Sequence, residues 1–174
     1  MNTQRLNRAR RKSLRNKCGA SGIAEFGPAL GVLLIAIFFP LLDLLCVCVS
    51  YGLVVVLNNN QVHEASLLPY TDAGNPSGTV MKGIPDSWSN GMGHFVKKDG
   101  EVQTQVGYRA GQKSSDSGNN AITDRVVRVT TTVKCSPFLP IPLPVANIPG
   151  LNGPMTFTVS AERQMENPDF APQS

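Results

Sequence analysis

The sequence lacks the residue groupings from which catalytic and metal sites are built. It contains only two histidines, and His63-Glu64 is not followed by the second histidine of an H-E-x-x-H zinc motif. No glycine-rich phosphate loop is present. Cys135 with His63 or His94 would be a nucleophile–base pair, but no flanking signature supports it. We therefore predict no catalytic residue, metal, cofactor or small-molecule substrate, and we do not expect an enzyme.

Acidic residues are absent before Glu25, whereas the first 17 positions contain seven Lys or Arg. The whole chain has 16 Lys+Arg and 12 Asp+Glu, a formal net charge of +4. The residues after this basic tail therefore hold nine cations against 12 acids. A nucleic-acid-binding domain spreads its cations over a folded face. Because the positive charge here belongs to a tail, we predict no nucleic-acid partner.

One long hydrophobic run dominates the rest of the sequence. Residues 26–57 contain a single charged side chain, Asp43. As a helix this run is about 48 Å long, whereas a bilayer core is about 30 Å thick and needs about 20 residues. We therefore predict a transmembrane helix over residues 21–66 whose C-terminal third extends beyond the membrane. The alternative is a buried core helix, although such helices are seldom apolar on every face.

The flanks of the run predict its orientation. Seven cations precede it, and residues 58–66 contain no Lys or Arg. The positive-inside rule then places the N-terminus in the cytoplasm and the C-terminal part outside. A cleaved secretory signal is the competing interpretation, but the apolar region of such a signal normally covers about 7–15 residues. We expect a retained single-pass anchor.

The junction between the basic tail and the run reads Ala20-Ser21-Gly22-Ile23-Ala24-Glu25-Phe26. A short basic leader, a small-residue junction and a hydrophobic helix with Glu at its fifth position resemble the type IV pilin-like proteins. The residues from Ser21 onward resemble most the TadE-like branch, the minor pilins or pseudopilins of tight-adherence pilus systems. Asp43 towards the end of the run and the closing residues 157–168 are also similar to that branch. On physical grounds alone, Glu25 is either a functional carboxylate or a complement to the helix dipole.

The resemblance implies a structural subunit of the bacterial inner membrane that serves pilus assembly and cell adhesion. A prepilin peptidase would cut between Ala20 and Ser21 on the cytoplasmic side. Glu25 would then pair with the amino terminus of a neighbouring subunit, and Asp43 is the second candidate assembly residue. The implied partners are the membrane, other pilin-like subunits, the pilus assembly machinery and the prepilin peptidase.

A permanently anchored binding or scaffold domain that is never cleaved is the alternative function. The family usually has Gly before the cut, whereas this chain has Ala20 there and Gly19 one residue earlier. Cleavage of the leader therefore discriminates between the two functions.

Two residues interrupt the apolar run. Pro40 lies in its interior and should kink or locally loosen the helix. Asp43 faces either the membrane interface or a polar partner, and we favour a partner. The helix is expected to continue beyond the run until Pro69 ends it.

The outer part, residues 67–174, carries three strand patterns. Residues 101–108, 125–134 and 155–165 alternate apolar or β-branched with polar side chains, which is typical of strands with one buried face. Residues 69–93, rich in Gly and Pro, predict an irregular loop with one short helical turn near 86–90, and residues 111–120 predict a polar loop. We therefore predict an α+β fold, in which one long N-terminal transmembrane helix precedes a small antiparallel β-rich outer domain.

Residues 135–151 of the outer part contain two features through which the chain could contact a partner. Cys135 is the one cysteine of residues 67–174, so a disulfide from it would have to join two chains. Residues 137–151 alternate proline with large apolar side chains and favour an extended path without ladder hydrogen bonds. These side chains either fill the core of the sheet, or form a surface for a partner subunit or the membrane. The predicted interaction surface consists of Phe138, Leu139, Ile141 and Leu143.

Overall fold

The computed structural model describes residues 26–115, 121–139 and 148–172. A long helix, α1 (Phe26–Leu67), is followed by α2 (Tyr70–Ala73) and α3 (Ile84–Asn90). Three strands complete the fold: β1 (Gln103–Ser115), β2 (Ala121–Cys135) and β3 (Met155–Gln164). The predicted α+β class, a long apolar N-terminal helix before a small antiparallel sheet, is confirmed. The chain divides into two compact units, Met1–Leu42 and Asp43–Ser174.

The α1 helix contains one irregular turn. Leu34–Phe38 form a π-helical turn, and the N–H of Phe39 donates to the carbonyl of Leu34, five residues back. Pro40 explains this turn, because it has no N–H and its ring clashes with the carbonyl four residues earlier. The prediction that Pro40 locally loosens the helix is confirmed.

From Asp43 onward, α1 buries one side of its surface. The buried residues recur at the spacing of one helix face: Asp43, Val54, Leu57, Asn58, Gln61, Val62, Ala65 and Ser66. The helix ends at Leu67, and Pro69 follows with a ψ of 149°, outside the helical region. The predicted end of the helix at Pro69 is therefore confirmed.

The sheet packs one face against this part of α1. Its order is β1-β2-β3 with antiparallel pairing throughout, and Val129 of the central strand lies opposite Val106 and Ala161. The period of two along β2 buries Val127, Val129, Thr131 and Val133. On the other face the Thr130 and Ser160 hydroxyls lie 3.0 Å apart, and Arg109 pairs with Glu162. The predicted strands with one polar face are confirmed.

Two of the predicted loops are wrong in part. Residues 111–120 are predicted to be a polar loop, but β1 extends to Ser115, and residues 116–120 lie outside the described residues. Residues 69–93 were expected to be irregular with one short helical turn, which is present as α3. They also contain α2 and a π-helical turn, Thr79–Gly83. Proline and glycine mark the ends of these short helices, because Pro69 precedes α2, Gly83 precedes α3 and Gly91 follows it.

The core lies between α1 and the sheet in two clusters. The first contains Val62, Ala65, Ala73, Val80, Val127, Val129, Met165 and Ala171. The second contains Val54, Leu57, Trp88, Val96, Val133, Cys135 and Phe157. The Trp88 indole N–H donates to the carbonyl of Leu53 at 3.1 Å, so α3 is attached directly to the backbone of α1.

Candidate functional site

The described part of the first unit, residues 26–42, is an apolar helix whose side chains are exposed around its circumference. Val32 is 66% exposed, Ile35 61% and Ile37 59%. The helix is long and apolar enough to cross a membrane, and hardly any of its most apolar stretch is buried within the chain. Exposing a continuous apolar surface of this kind to water is strongly unfavourable. These residues are therefore not a buried core helix of this chain, which was the alternative to a span.

Asp43 lies where α1 enters the second unit. Its side chain is only 1% exposed. Its Oδ1 accepts a hydrogen bond of 2.9 Å from the backbone N–H of Leu139, and among the described residues Oδ2 has no hydrogen-bond partner. The acid that the sequence places near the end of the run thus contacts the start of the Pro-rich segment of its own chain. Its predicted role in subunit assembly remains a prediction.

A cavity of about 250 Å³ adjoins Asp43 on the second unit. Its walls are mainly apolar and come from residues 43–50 of α1, the ends of β2 and β3 and the loops beside them; they include Cys46, Val47, Phe95, Lys97, Cys135, Pro137, Phe138 and Phe157. Burial raises the pKa of the Cys135 thiol to about 11, so Cys135 is a neutral, apolar wall residue at neutral pH. Cys135 is 5% exposed, which leaves little access for the disulfide between chains.

Two aromatic side chains protrude at the mouth of this cavity. Phe95 is 82% exposed and Phe138 is 59% exposed. Phe95 ends the short 3-10 helix Met92–Phe95, in which Gly93 lies directly against the Trp88 ring. A Cβ on Gly93 would be 2.5 Å from that ring, so the segment can approach Trp88 this closely only with glycine. The position of Phe95 is therefore tied to α3 and to α1.

The structure describes the first half of the predicted interaction surface. Phe138 is exposed and Leu139 is half-buried beside Asp43, whereas Ile141 and Leu143 lie outside the described residues. Phe138 does not fill the core of the sheet, which was one of the two interpretations of this segment. The junction residues Ala20, Ser21 and Glu25 also lie outside the described residues, so their roles remain predictions.

The sequence did not reveal a buried polar network between α1 and the sheet. The Gln61 amide group donates to the carbonyl of Val80 and to the Thr104 hydroxyl, both at 2.8 Å. Its carbonyl oxygen accepts from the Thr131 hydroxyl at 2.6 Å. Asn58 donates to that same hydroxyl at 2.9 Å and to the carbonyl of Val129 at 3.0 Å. The one sequence feature that could have indicated this network is the run of amide side chains at residues 58–61, within a helix whose apolar residues recur at helical spacing.

The residues considered for catalysis do not form a recognisable centre. His63 and His94 are exposed, whereas Cys135 is buried. Within residues 26–115, 121–139 and 148–172, no group of three His, Cys, Asp or Glu side chains is placed to hold a metal ion. The candidate functional surfaces are therefore the apolar part of α1 and the Asp43 end of the second unit. Comparison of the chain with protein-family models, curated proteins and solved structures gave no match.

Proposed function

We propose that this protein is a membrane-anchored, pilin-like structural subunit of the TadE-like kind, used in a tight-adherence pilus or in its assembly. The observation that carries the proposal is the nature of α1. Its first part is apolar and exposed, while its later part, from Asp43, packs one face on a small antiparallel sheet. This combination supports a helix with two uses. It anchors the subunit in lipid and can then pack against the same helices of other subunits.

The charges around α1 support an orientation for this anchor. Seven cations precede the helix, while residues 58–66 contain none. Positive flanks stay on the cytoplasmic side, so the second unit is assigned to the extracytoplasmic side of the inner membrane. The cations of the leader act as a topology signal in this proposal and are later removed.

Leader removal gives Glu25 its function in the proposal. Cleavage between Ala20 and Ser21 creates an α-ammonium four residues before Glu25. In an apolar helix bundle, a lone carboxylate or ammonium is strongly disfavoured, and removing one partner of such a pair costs about 3–5 kcal/mol. Pairing Glu25 of one subunit with the ammonium of its neighbour therefore favours one axial offset between subunits.

Processing is the decisive test. The full chain, produced with a prepilin peptidase and purified from membranes, should have the intact mass of residues 21–174, which is 154 residues. Ala20→Leu should block the cut, because a large side chain then precedes it. The matched control Ala9→Leu makes the same change within the leader and should be processed normally. A full-length product from the unaltered chain would overturn the pilin function and leave the uncleaved, anchored domain.

A further inference from the structure

Phe95, Lys97 and Phe138, here called the aromatic rim, gather at one end of the second unit. All three line the cavity beside residues 43–50 of α1. In that stretch of the helix, Leu45 is 63% exposed and Val49 is 53% exposed. The exposed apolar surface of the helix therefore continues onto side chains from two separate loops.

The length of the apolar run indicates where this end of the unit lies along a membrane normal. A span that starts at Phe26 needs about 20 residues to cross the hydrocarbon core, so it leaves the core near Leu45. The aromatic rim is attached at that level. With α1 anchored as proposed, Leu45 is at the depth where the acyl chains give way to headgroups, and the rim lines the same cavity as Leu45.

The chemistry of the aromatic rim matches that depth. Aromatic rings concentrate at the boundary between acyl chains and headgroups, and a lysine keeps its methylene stem in apolar surroundings while its ammonium reaches phosphates. Lys97 follows Phe95 by two residues, and its side chain is exposed. Burying a large apolar side chain favours association, so the two rings help to hold the unit on a surface.

We propose that the aromatic rim rests on the phospholipid surface around α1, which gives the folded unit a second membrane contact. This inference rests on the proposed anchoring by α1. It assigns the lipid headgroup region, rather than a second copy of the chain, as the partner of Phe95 and Phe138. The reason is that the rim is continuous with the exposed apolar surface of the helix that enters the bilayer.

The test places a fluorescent reporter at the rim of the full chain in phosphatidylcholine vesicles. Phe95→Trp and Phe138→Trp each add one indole to the buried Trp88, whose signal is subtracted using the unaltered chain. Tyr70→Trp is the matched control. Tyr70 is an exposed aromatic residue at 47%, but it follows the far end of α1, about 36 Å along the helix from Asp43.

Lipids brominated near the headgroup should reduce the added fluorescence of both rim variants about twofold and leave that of Tyr70→Trp unchanged. Quenching of the rim variants by aqueous iodide, as strong as for Tyr70→Trp, would overturn the lipid contact. The lipid contact would also be overturned if the rim variants were protected from both quenchers and lost this protection when the protein was diluted in lipid. In that case a second copy of the chain would cover the rim.

Alkaline carbonate extraction of the same vesicles tests the anchoring by α1. Extracted protein would contradict the anchoring, whereas retained protein with unquenched rim variants would contradict the lipid contact alone.

Discussion

At the scale of single residues, the second unit depends on polar side chains that the sequence presents as surface. Asn58, Asn59, Asn60 and Gln61 follow the apolar run directly and have the composition of a solvated helix flank. The helical period nevertheless places Asn58 and Gln61 on the buried face of α1, whereas Asn59 and Asn60 are exposed. The helical spacing of Leu57, Val62 and Ala65 is visible in the sequence, and all three are buried. This spacing could not show that amides occupy the same face, because their hydrogen-bond partners lie 19 to 73 residues away along the chain.

Gln61→Leu should destabilise the fold by about 2–4 kcal/mol. The substitution keeps the side-chain volume similar but leaves the Val80 carbonyl and the Thr104 hydroxyl without their buried amide donor. The Thr131 hydroxyl loses its acceptor and keeps only the bond from Asn58. Urea unfolding of the full chain in detergent, followed by fluorescence of the single Trp88, measures the change. The matched control is Asn60→Leu on the exposed side, which should shift stability by less than about 0.5 kcal/mol. Equal effects of both variants would show that the network adds nothing.

At the scale of secondary-structure elements, the sequence predicted the regular strands and the long helix, but it did not predict the short helices in the segment rich in proline and glycine. The alternation in β2 identified its buried face because successive side chains of a strand point to opposite faces of the sheet. Residues 69–93 were harder, because proline and glycine are frequent in loops and equally frequent at the ends of short helices. The short helical elements of this segment are stabilised by the packing of Val80 and Trp88 in the core. Nothing in the local pattern shows that packing.

The π-helical turn of α1 provides a prediction at this scale. Pro40→Ala supplies an N–H that can donate four residues back and removes the ring that clashes with the preceding turn. We expect the turn at Leu34–Phe38 to become α-helical, with amide hydrogen exchange of residues 34–39 in detergent micelles slowed roughly tenfold.

Pro28→Ala is the matched control for Pro40→Ala. Pro28 lies in α1 six residues before Leu34, outside the π-helical turn. Amide exchange of residues 34–39 should not change in Pro28→Ala. The interpretation of Pro40 would be contradicted by unchanged exchange in Pro40→Ala, or by equal slowing in both variants.

At the scale of the whole molecule, the helix that is apolar enough to cross a membrane is also part of the folded core. The sequence separates a helix up to residue 66 from an outer domain that begins at residue 67, which follows the end of α1 closely. The compact unit, however, runs from Asp43 to the C-terminus. Met165 and Ala171 near that end pack in the same cluster as Val62 and Ala65 of α1, and the Glu166 N–H donates to the Ser66 carbonyl at 3.1 Å. One face of the sheet packs against α1 together with Val80 and Trp88. The sequence pattern identifies that face but does not show which elements pack on it.

Two fragments of the chain test this arrangement. Residues 51–174 keep the buried helix side chains Val54, Leu57 and Val62, whereas residues 68–174 lose all three. Burial of a large aliphatic side chain contributes about 1.5–3 kcal/mol, so the shorter fragment forfeits about 5–9 kcal/mol. That loss is comparable to the entire stability of a typical domain, about 5–15 kcal/mol. We therefore expect the longer fragment to unfold cooperatively in urea and the shorter one to show no transition, with Trp88 fluorescence as the readout. A cooperative transition of similar midpoint in residues 68–174 would show that the sheet is stable without the helix, and that α1 serves only as the anchor.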